Sequence, residues 1–345
     1  YQPNAGSQSC DLADPGYHVA GVGATSQTAC SAGTYQPQYG QISCVTASLG
    51  YFVPAAASSY QTPANAGYYV ALLGATSETP CSAGTYQPLT GQYFCNDADA
   101  GYYVASSGSD SQLACDLGTY QPNTGQTYCL NAAAGYHVPT TAATSQTACV
   151  PGTYQPSGGQ ANCLYASPGF FSAGNASTTQ TPCSAGPYQP NTGQTRCLNT
   201  DAGYYVDINA SATQFACDLG TYQPITGSID CLIADPGHYV GVTGSPSQTP
   251  CAAGTYNPNS GSISSSDCIA ASTGHYVPNS GSDTELECGI GTYTDQTGQS
   301  TCTDADAGNY VDSTAAESQT ECAVGTYQPQ AAQAGCSYAD PGNFV

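Results

Sequence analysis

Apolar and aromatic side chains recur along this chain mostly in groups of two or three, and the run at Tyr68–Leu73 stops at six. Thr34-Tyr35, Tyr51-Phe52-Val53, Tyr68-Tyr69-Val70 and Tyr102-Tyr103-Val104 are typical, and each group directly follows a glycine. Polar stretches of Ser, Thr, Gln, Asn, Gly and Pro separate them. Short groups rich in Tyr, Thr and Val, bounded by turn formers such as Asn123-Thr124-Gly125 and Asn191-Thr192-Gly193, predict short strands joined by turns. No helical spacing of apolar residues recurs, and 40 Gly with 23 Pro oppose helices. The expected fold is all-β, built of short strands and turns, with no helices.

The groups keep a fixed phase. The opening glycine stands at 16, 33, 50, 67, 84, 101, 118, 135, 152, 169, 186, 203, 220, 237 and 254, each 17 residues after the last. After a three-residue insertion within 261–268 it resumes at 274, 291, 308, 325 and 342. About twenty repeats thus fill residues 1–345 as one continuous array without separate globular domains. Tyr1 and Val345 both fall inside a repeat, as expected of a processed chain or a window of a longer one. A repeat this small cannot bury a core of its own, so neighbours must supply the burial, and the expectation is an elongated rod.

With the opening glycine as position 0, position +2 always carries an aromatic ring or a His: Tyr1, His18, Tyr35, Phe52, Tyr69, Tyr86, and so on to Phe344. Large rings placed so regularly predict an aromatic ladder as the core. Position +7 is Gly or Ala in every full repeat, as at Gly23, Gly40, Ala57, Gly74 and Gly91. Ala resists a positive φ, so the requirement expected here is small size where layers approach closely.

The cysteines supply a second rhythm. Their gaps alternate 20 and 14, a super-repeat of 34, except for 37 between Cys44 and Cys81, where two repeats without cysteines adjoin, and 17 between Cys251 and Cys268; elsewhere repeats with cysteines usually alternate with repeats without. Where they are missing, the first position is usually Ala (Ala13, Ala47, Ala98, Ala234, Ala305) and the second Gln or similar (Gln27, Gln61, Gln112). Both vanish together, as a covalent pair requires. The expected disulfides are therefore Cys30–Cys44, Cys81–Cys95, Cys115–Cys129, Cys149–Cys163, Cys183–Cys197, Cys217–Cys231, Cys251–Cys268, Cys288–Cys302 and Cys322–Cys336, with Cys10 left over. The rival scheme pairs across the 20-residue gaps, as in Cys95–Cys115, and leaves Cys44 and Cys81 without regular partners.

Composition narrows the function. Lys plus Arg number 1 (Arg196), Asp plus Glu 23, and the formal net charge is −22. A chain so poor in aliphatic residues and so charged would ordinarily be disordered. The strict phasing of 28 Tyr and 19 Cys opposes that. So few cations exclude nucleic acid and anionic membranes as partners. No apolar run spans a bilayer. Regular cysteines imply an oxidising compartment, hence an extracellular or cell-surface location. Nearly absent Lys and Arg leave trypsin almost nothing to cut, which suits durability there.

Candidate chemistry is sparse. His18 and His137 replace the position +2 ring, and His238 and His275 the ring before it; they read as packing substitutions. The cysteines lack the short spacings of zinc sites. Asp14, Asp99, Asp201, Asp235, Asp306 and Asp340 recur at position −2 and read as turn formers whose side chains bond backbone amides. The sharper reading, Ca²⁺ held between layers, has weak support from Asp97-Ala-Asp99 and Asp304-Ala-Asp306; otherwise no cofactor is implied. Asn175-Ala-Ser177 and Asn209-Ala-Ser211 are N-glycosylation sequons 34 residues apart in the same phase. No nucleophile–base arrangement or phosphate loop is readable, and polar residues recur by phase rather than as a local exception. The expectation is not an enzyme.

The pattern Cys-x-Ala-Gly-Thr-Tyr-Gln-Pro-x-x-Gly-Gln-x-x-Cys, followed by x-x-Ala-Asp-Ala-Gly-Tyr-Tyr-Val, resembles the ephrin-receptor-like cysteine-rich repeat along the whole chain. It is more distantly similar to the cysteine-rich modules of tumour-necrosis-factor receptors. The resemblance implies modules stacked into rods, with a disulfide closing a loop around a Tyr. This chain departs by losing cysteines from alternate repeats, so a receptor's full disulfide connectivity and ligand site do not carry over. The function expected is an extracellular structural rod, stalk or surface filament, with self-association or polymerisation and covalent glycans as its partners. The alternative is a receptor or adhesin ectodomain that binds a protein or glycan through the rod.

Overall fold

Each 17-residue repeat closes on itself as an antiparallel hairpin of two-residue strands. Thr34–Tyr35 pairs with Val45–Thr46, placing Tyr35 opposite Val45. Tyr102–Tyr103 pairs with Leu113–Ala114 in the same register. The structure, a computed structural model, describes residues 1–340 and 342, so Phe344, the last of the expected rings, lies outside the described residues. Among the described residues there are nineteen such hairpins, each a sheet of just two strands. The expected all-β fold of short strands stands. The inserted segment adds one feature, a 3₁₀ turn at Ser265–Asp267. Ser264 caps it, accepting from the Ser266 N–H while the Asp267 carboxylate accepts from the Ser264 N–H. No helix is long and apolar enough to cross a membrane among the described residues.

The chain divides into two compact bodies, Tyr1–Tyr165 with Gly174–Thr179, and Ala166–Ala173 with Gln180–Val345. In the first, successive repeats are tied by backbone hydrogen bonds that recur in phase. The Cys30 N–H donates to the Gly16 carbonyl (2.9 Å), Gly33 to Val53 (2.9 Å), Gln36 to Ser58 (3.1 Å) and Ala57 to Cys30 (2.8 Å). In the second body the Cys217 N–H donates to Gly203 (2.9 Å), Gly220 to Val240 (2.9 Å), Gln223 to Ser245 (3.1 Å) and Gly244 to Cys217 (2.8 Å). The inserted residues leave this pattern intact, because Gly254 still donates to Val277 (2.8 Å) and Gly281 to Cys251 (2.9 Å).

These bonds run through the core. Its buried positions are −3, 0 and +3: Cys30, Gly33 and Gln36, then Ala47, Gly50 and Val53, then Ala64, Gly67 and Val70. The position +2 rings do not form it. Tyr35, Tyr69 and Tyr103 are half-buried. Among the described residues two ring pairs come into contact, Tyr93–Phe94 (5.1 Å) and Tyr205–Phe215 (5.9 Å), and neither joins two position +2 rings. The aromatic ladder expected from the sequence is therefore corrected. Repeats approach until their backbones bond at 2.7–3.2 Å, which leaves no thickness for a ring between them. The rings instead cover their own hairpins, as Tyr205 does opposite Phe215.

The reading of position +7 is also corrected. It does take a positive φ, including at Ala57, Ala142, Ala176, Ala210, Ala315 and Ala332, with φ of 53° to 58°. The close approach belongs to position 0. A Cβ on Gly33 would lie 2.2 Å from the Gly74 carbonyl oxygen, two repeats further on, and one on Gly220 would lie 2.3 Å from that of Gly261. Opening glycines such as Gly16, Gly118 and Gly291 thus let a carbonyl rest on the bare face of their own Cα, whereas Gly308 and Gly325 have no such neighbour.

Candidate functional site

The chemistry of the molecule lies in how each repeat is fastened, and there are two fasteners. Nine repeats carry a disulfide between positions −3 and +11, from Cys30–Cys44 to Cys322–Cys336. Every bond lies within a repeat; the Cα atoms are 5.7–5.8 Å apart. Cys251–Cys268 spans 17 residues instead of 14 and so absorbs the insertion. Cys10 is an exposed free thiol.

In stapled repeats position +3 is usually Gln, buried and fully paired. Gln121 Nε2 donates to the Tyr128 carbonyl at 2.9 Å, and its Oε1 accepts from the Asn123 N–H at 3.1 Å. Gln36, Gln87, Gln155, Gln189 and Gln223 repeat both bonds. The side chain therefore holds the turn that follows the first strand. A buried amide is costly unless its donor and acceptor are both met, and here they are.

Repeats without cysteines use a hydrogen-bonded clasp, a device that the sequence reading did not identify. Gln112 at position +11 accepts from the Asp99 N–H through Oε1 (2.7 Å) and donates through Nε2 to the Asp99 carboxylate (2.7 Å). The pairs Gln27–Asp14, Gln214–Asp201, Gln248–Asp235 and Gln319–Asp306 are the same. At Asn65 and Glu78 the roles are exchanged. Glu78 accepts from both the Asn65 N–H (2.7 Å) and its side-chain amide (2.9 Å). The expectation that the position −2 carboxylates bond backbone amides is replaced here: in these five pairs the carboxylate accepts from the Gln side chain. The signal was present in the joint appearance of Gln at +11 with Asp at −2.

The remaining candidates stay apart. His137, His238 and His275 each place Nδ1 3.1–3.2 Å from a backbone carbonyl, those of Ala161, Pro236 and Thr273. His18 differs, with Nδ1 3.2 Å from Cys44 Sγ. His18, Cys30 and Cys44 are the one group of three close metal-ligating side chains among the described residues, but the two sulfurs are bonded to each other. Asn175 and Asn209 are exposed, each beside an Ala of positive φ. Asn209 Oδ1 accepts from the Ala185 N–H at 2.9 Å, which leaves Nδ2, the atom that would carry a glycan, outside that bond. The hollows on the surface are open depressions; one of about 430 Å³ is lined by 69–77 and Thr79 and brings no titratable group together beyond Tyr69.

The stretch that contains the Cys115–Cys129 staple and His137 matches a known family. Residues 101–149 match the family described as tyrosine-protein kinase ephrin type A/B receptor-like. With its in-phase staples, the chain is a disulfide-rich repeat array that contains an ephrin-receptor-like segment. No curated protein matches the chain. The ephrin-receptor-like match opens on Gly101 and closes on Cys149, so it covers the Cys115–Cys129 staple and a single-bond form of the clasp, in which Gln146 Oε1 accepts from the Ala133 N–H.

Proposed function

We propose that this chain is an extracellular structural element, a rod, stalk or surface filament, and that it is neither an enzyme nor dependent on a cofactor. The observation that carries this reading is the sameness of the junction. The bonds that join one repeat to the next are made by backbone atoms at positions −3, 0, +3, +7 and +8, and they recur in both compact bodies. A junction built this way can be extended without inventing new contacts, which is the economy of linear repeat proteins. Disulfides in nearly half of the repeats suit an oxidising exterior. The net charge of −22 with one basic side chain suits solubility and resistance to trypsin-like proteases. Glycans on Asn175 and Asn209 belong to the same reading, and intact mass with and without glycosidase reports on them.

Negative-stain imaging of the chain beside a variant lacking residues 101–134 tests it. The expected result is elongated particles that shorten in proportion to the residues removed, with long uniform fibres if they polymerise. Globular particles of unchanged outline would overturn the reading. The ephrin-receptor-like segment supports a second reading, a receptor or adhesin ectodomain. That reading expects isolated particles with saturable binding to a protein or glycan that is lost with residues 101–149.

A further inference from the structure

We propose that Cys30–Cys44 is the labile staple of this array, the one at which small-molecule thiols exchange, and that His18 makes it so. This goes beyond the structural role and does not depend on it. His18 stands at position +2 of the repeat before the staple, and its Nδ1 is 3.2 Å from Cys44 Sγ, within reach of a sulfur hydrogen bond. The phase that puts His18 there puts Tyr69 ahead of Cys81–Cys95 and Tyr103 ahead of Cys115–Cys129, rings without an imidazole nitrogen. His137 is in the same phase ahead of Cys149–Cys163, but its Nδ1 meets the Ala161 carbonyl at 3.1 Å.

An imidazolium beside a sulfur stabilises the thiolate and so favours the reduced pair. Cys44 is half-buried and Cys30 is 1% exposed, so an incoming thiolate reaches Cys44 Sγ more readily. The step is an ordinary exchange. The thiolate RS⁻ bonds to Cys44 Sγ, the S–S bond breaks, and its electron pair leaves on Cys30, which takes up a proton. A second RS⁻ attacks the external sulfur of the mixed disulfide, releasing RSSR and the Cys44 thiolate, which pairs with His18. Two electrons pass from two thiols to one disulfide, and the protons they lose end on Cys30 and on the His18–Cys44 pair. The staple opens while the hairpin retains its Tyr35–Val45 pairing and its Gln36 bonds to Ser43 and Gln38.

The test equilibrates the full chain, in a Cys10→Ser background that removes the free thiol, with graded ratios of reduced to oxidised glutathione. Each disulfide is then read by differential alkylation and mass spectrometry. Cys30–Cys44 should be reduced with an equilibrium constant roughly tenfold above the other eight, equivalent to about 30 mV. His18→Tyr, which installs the ring found at this position in most repeats, should bring it into line with them. Cys149–Cys163 should stay with the other seven, because the in-phase His137 bonds the Ala161 carbonyl rather than a sulfur, so that an imidazole nearby is not enough without the sulfur contact. If Cys30–Cys44 opens together with the rest, or if His18→Tyr leaves it unchanged, the proposal is overturned.

Discussion

Gly118→Ala should damage this protein far more than Gly108→Ala, although both glycines have a positive φ, +81° and +73°. A Cβ on Gly118 would lie 2.2 Å from the Gly159 carbonyl oxygen and 2.7 Å from its carbon. That is roughly 1 Å inside ordinary van der Waals contact, and the obstacle is backbone. Neither side yields easily, because the Gly118 N–H donates to Val138 (2.9 Å), its carbonyl accepts from Ala132 (2.9 Å), and Gly159 donates to Ala132 (2.8 Å). Forcing an L-residue into the left-handed region costs about 1–2 kcal/mol. Overpacking against an interior that cannot relax adds about 1–3 kcal/mol. Gly108→Ala meets nothing closer than the Tyr68 hydroxyl at 3.5 Å, so it should cost the conformational part alone. Denaturant unfolding followed by circular dichroism, without reductant and at unchanged m-value, gives both costs. Equal losses in the two variants would refute the claim that layers meet at the opening glycine.

The converse substitution, Ala142→Gly, should stabilise by about 1 kcal/mol in the same assay, because φ is 53° there and Gly adopts it freely. Gln112→Glu should weaken its repeat by setting two carboxylates within 3 Å, with amide hydrogen exchange at Asp99 rising; adding Asp99→Asn should restore protection by copying the Asn65–Glu78 arrangement. Ala98→Cys with Gln112→Cys should form a tenth staple, since these positions take the place of the paired cysteines, and thiol titration of the unreduced protein should detect no new free thiols.

The sequence disclosed the rhythm more readily than the packing. Cysteine phase and the joint loss of both cysteines pointed to the within-repeat bonds that the structure contains, and Gly-Thr-Tyr-Gln-Pro read correctly as a short strand entering a turn. Bulk is a poor sign of burial in this core. Tyr35 and Tyr103 are large and recur without fail, yet the fully buried positions belong to Cys30, Gly33, Gln36 and their counterparts. In an array whose layers meet backbone to backbone, small residues mark the interior, and Gly and Ala give no hydrophobic signal in a sequence. Ala at position +7 misled for a related reason. A strained φ in an L-residue is tolerated when turn and neighbour both impose it, and propensity alone argued against that. The clasp went unseen because its partners are 13 residues apart, and the carboxylate had a sufficient local explanation as a turn former.

The alternation of fasteners has a bearing on how the molecule would fail. A reductant attacks sulfur and leaves the clasps untouched; an agent that competes for hydrogen bonds loosens the clasps and leaves disulfides untouched. Because the two kinds usually take turns, a chemical insult that loosens one repeat generally finds the next held by a bond it cannot break. The stretch from Tyr51 to Glu78, where two clasped repeats adjoin, is the exception. Damage to such a chain would be confined to single links, and the place where loss of hydrogen bonds could release two in succession is the stretch where two repeats without cysteines adjoin.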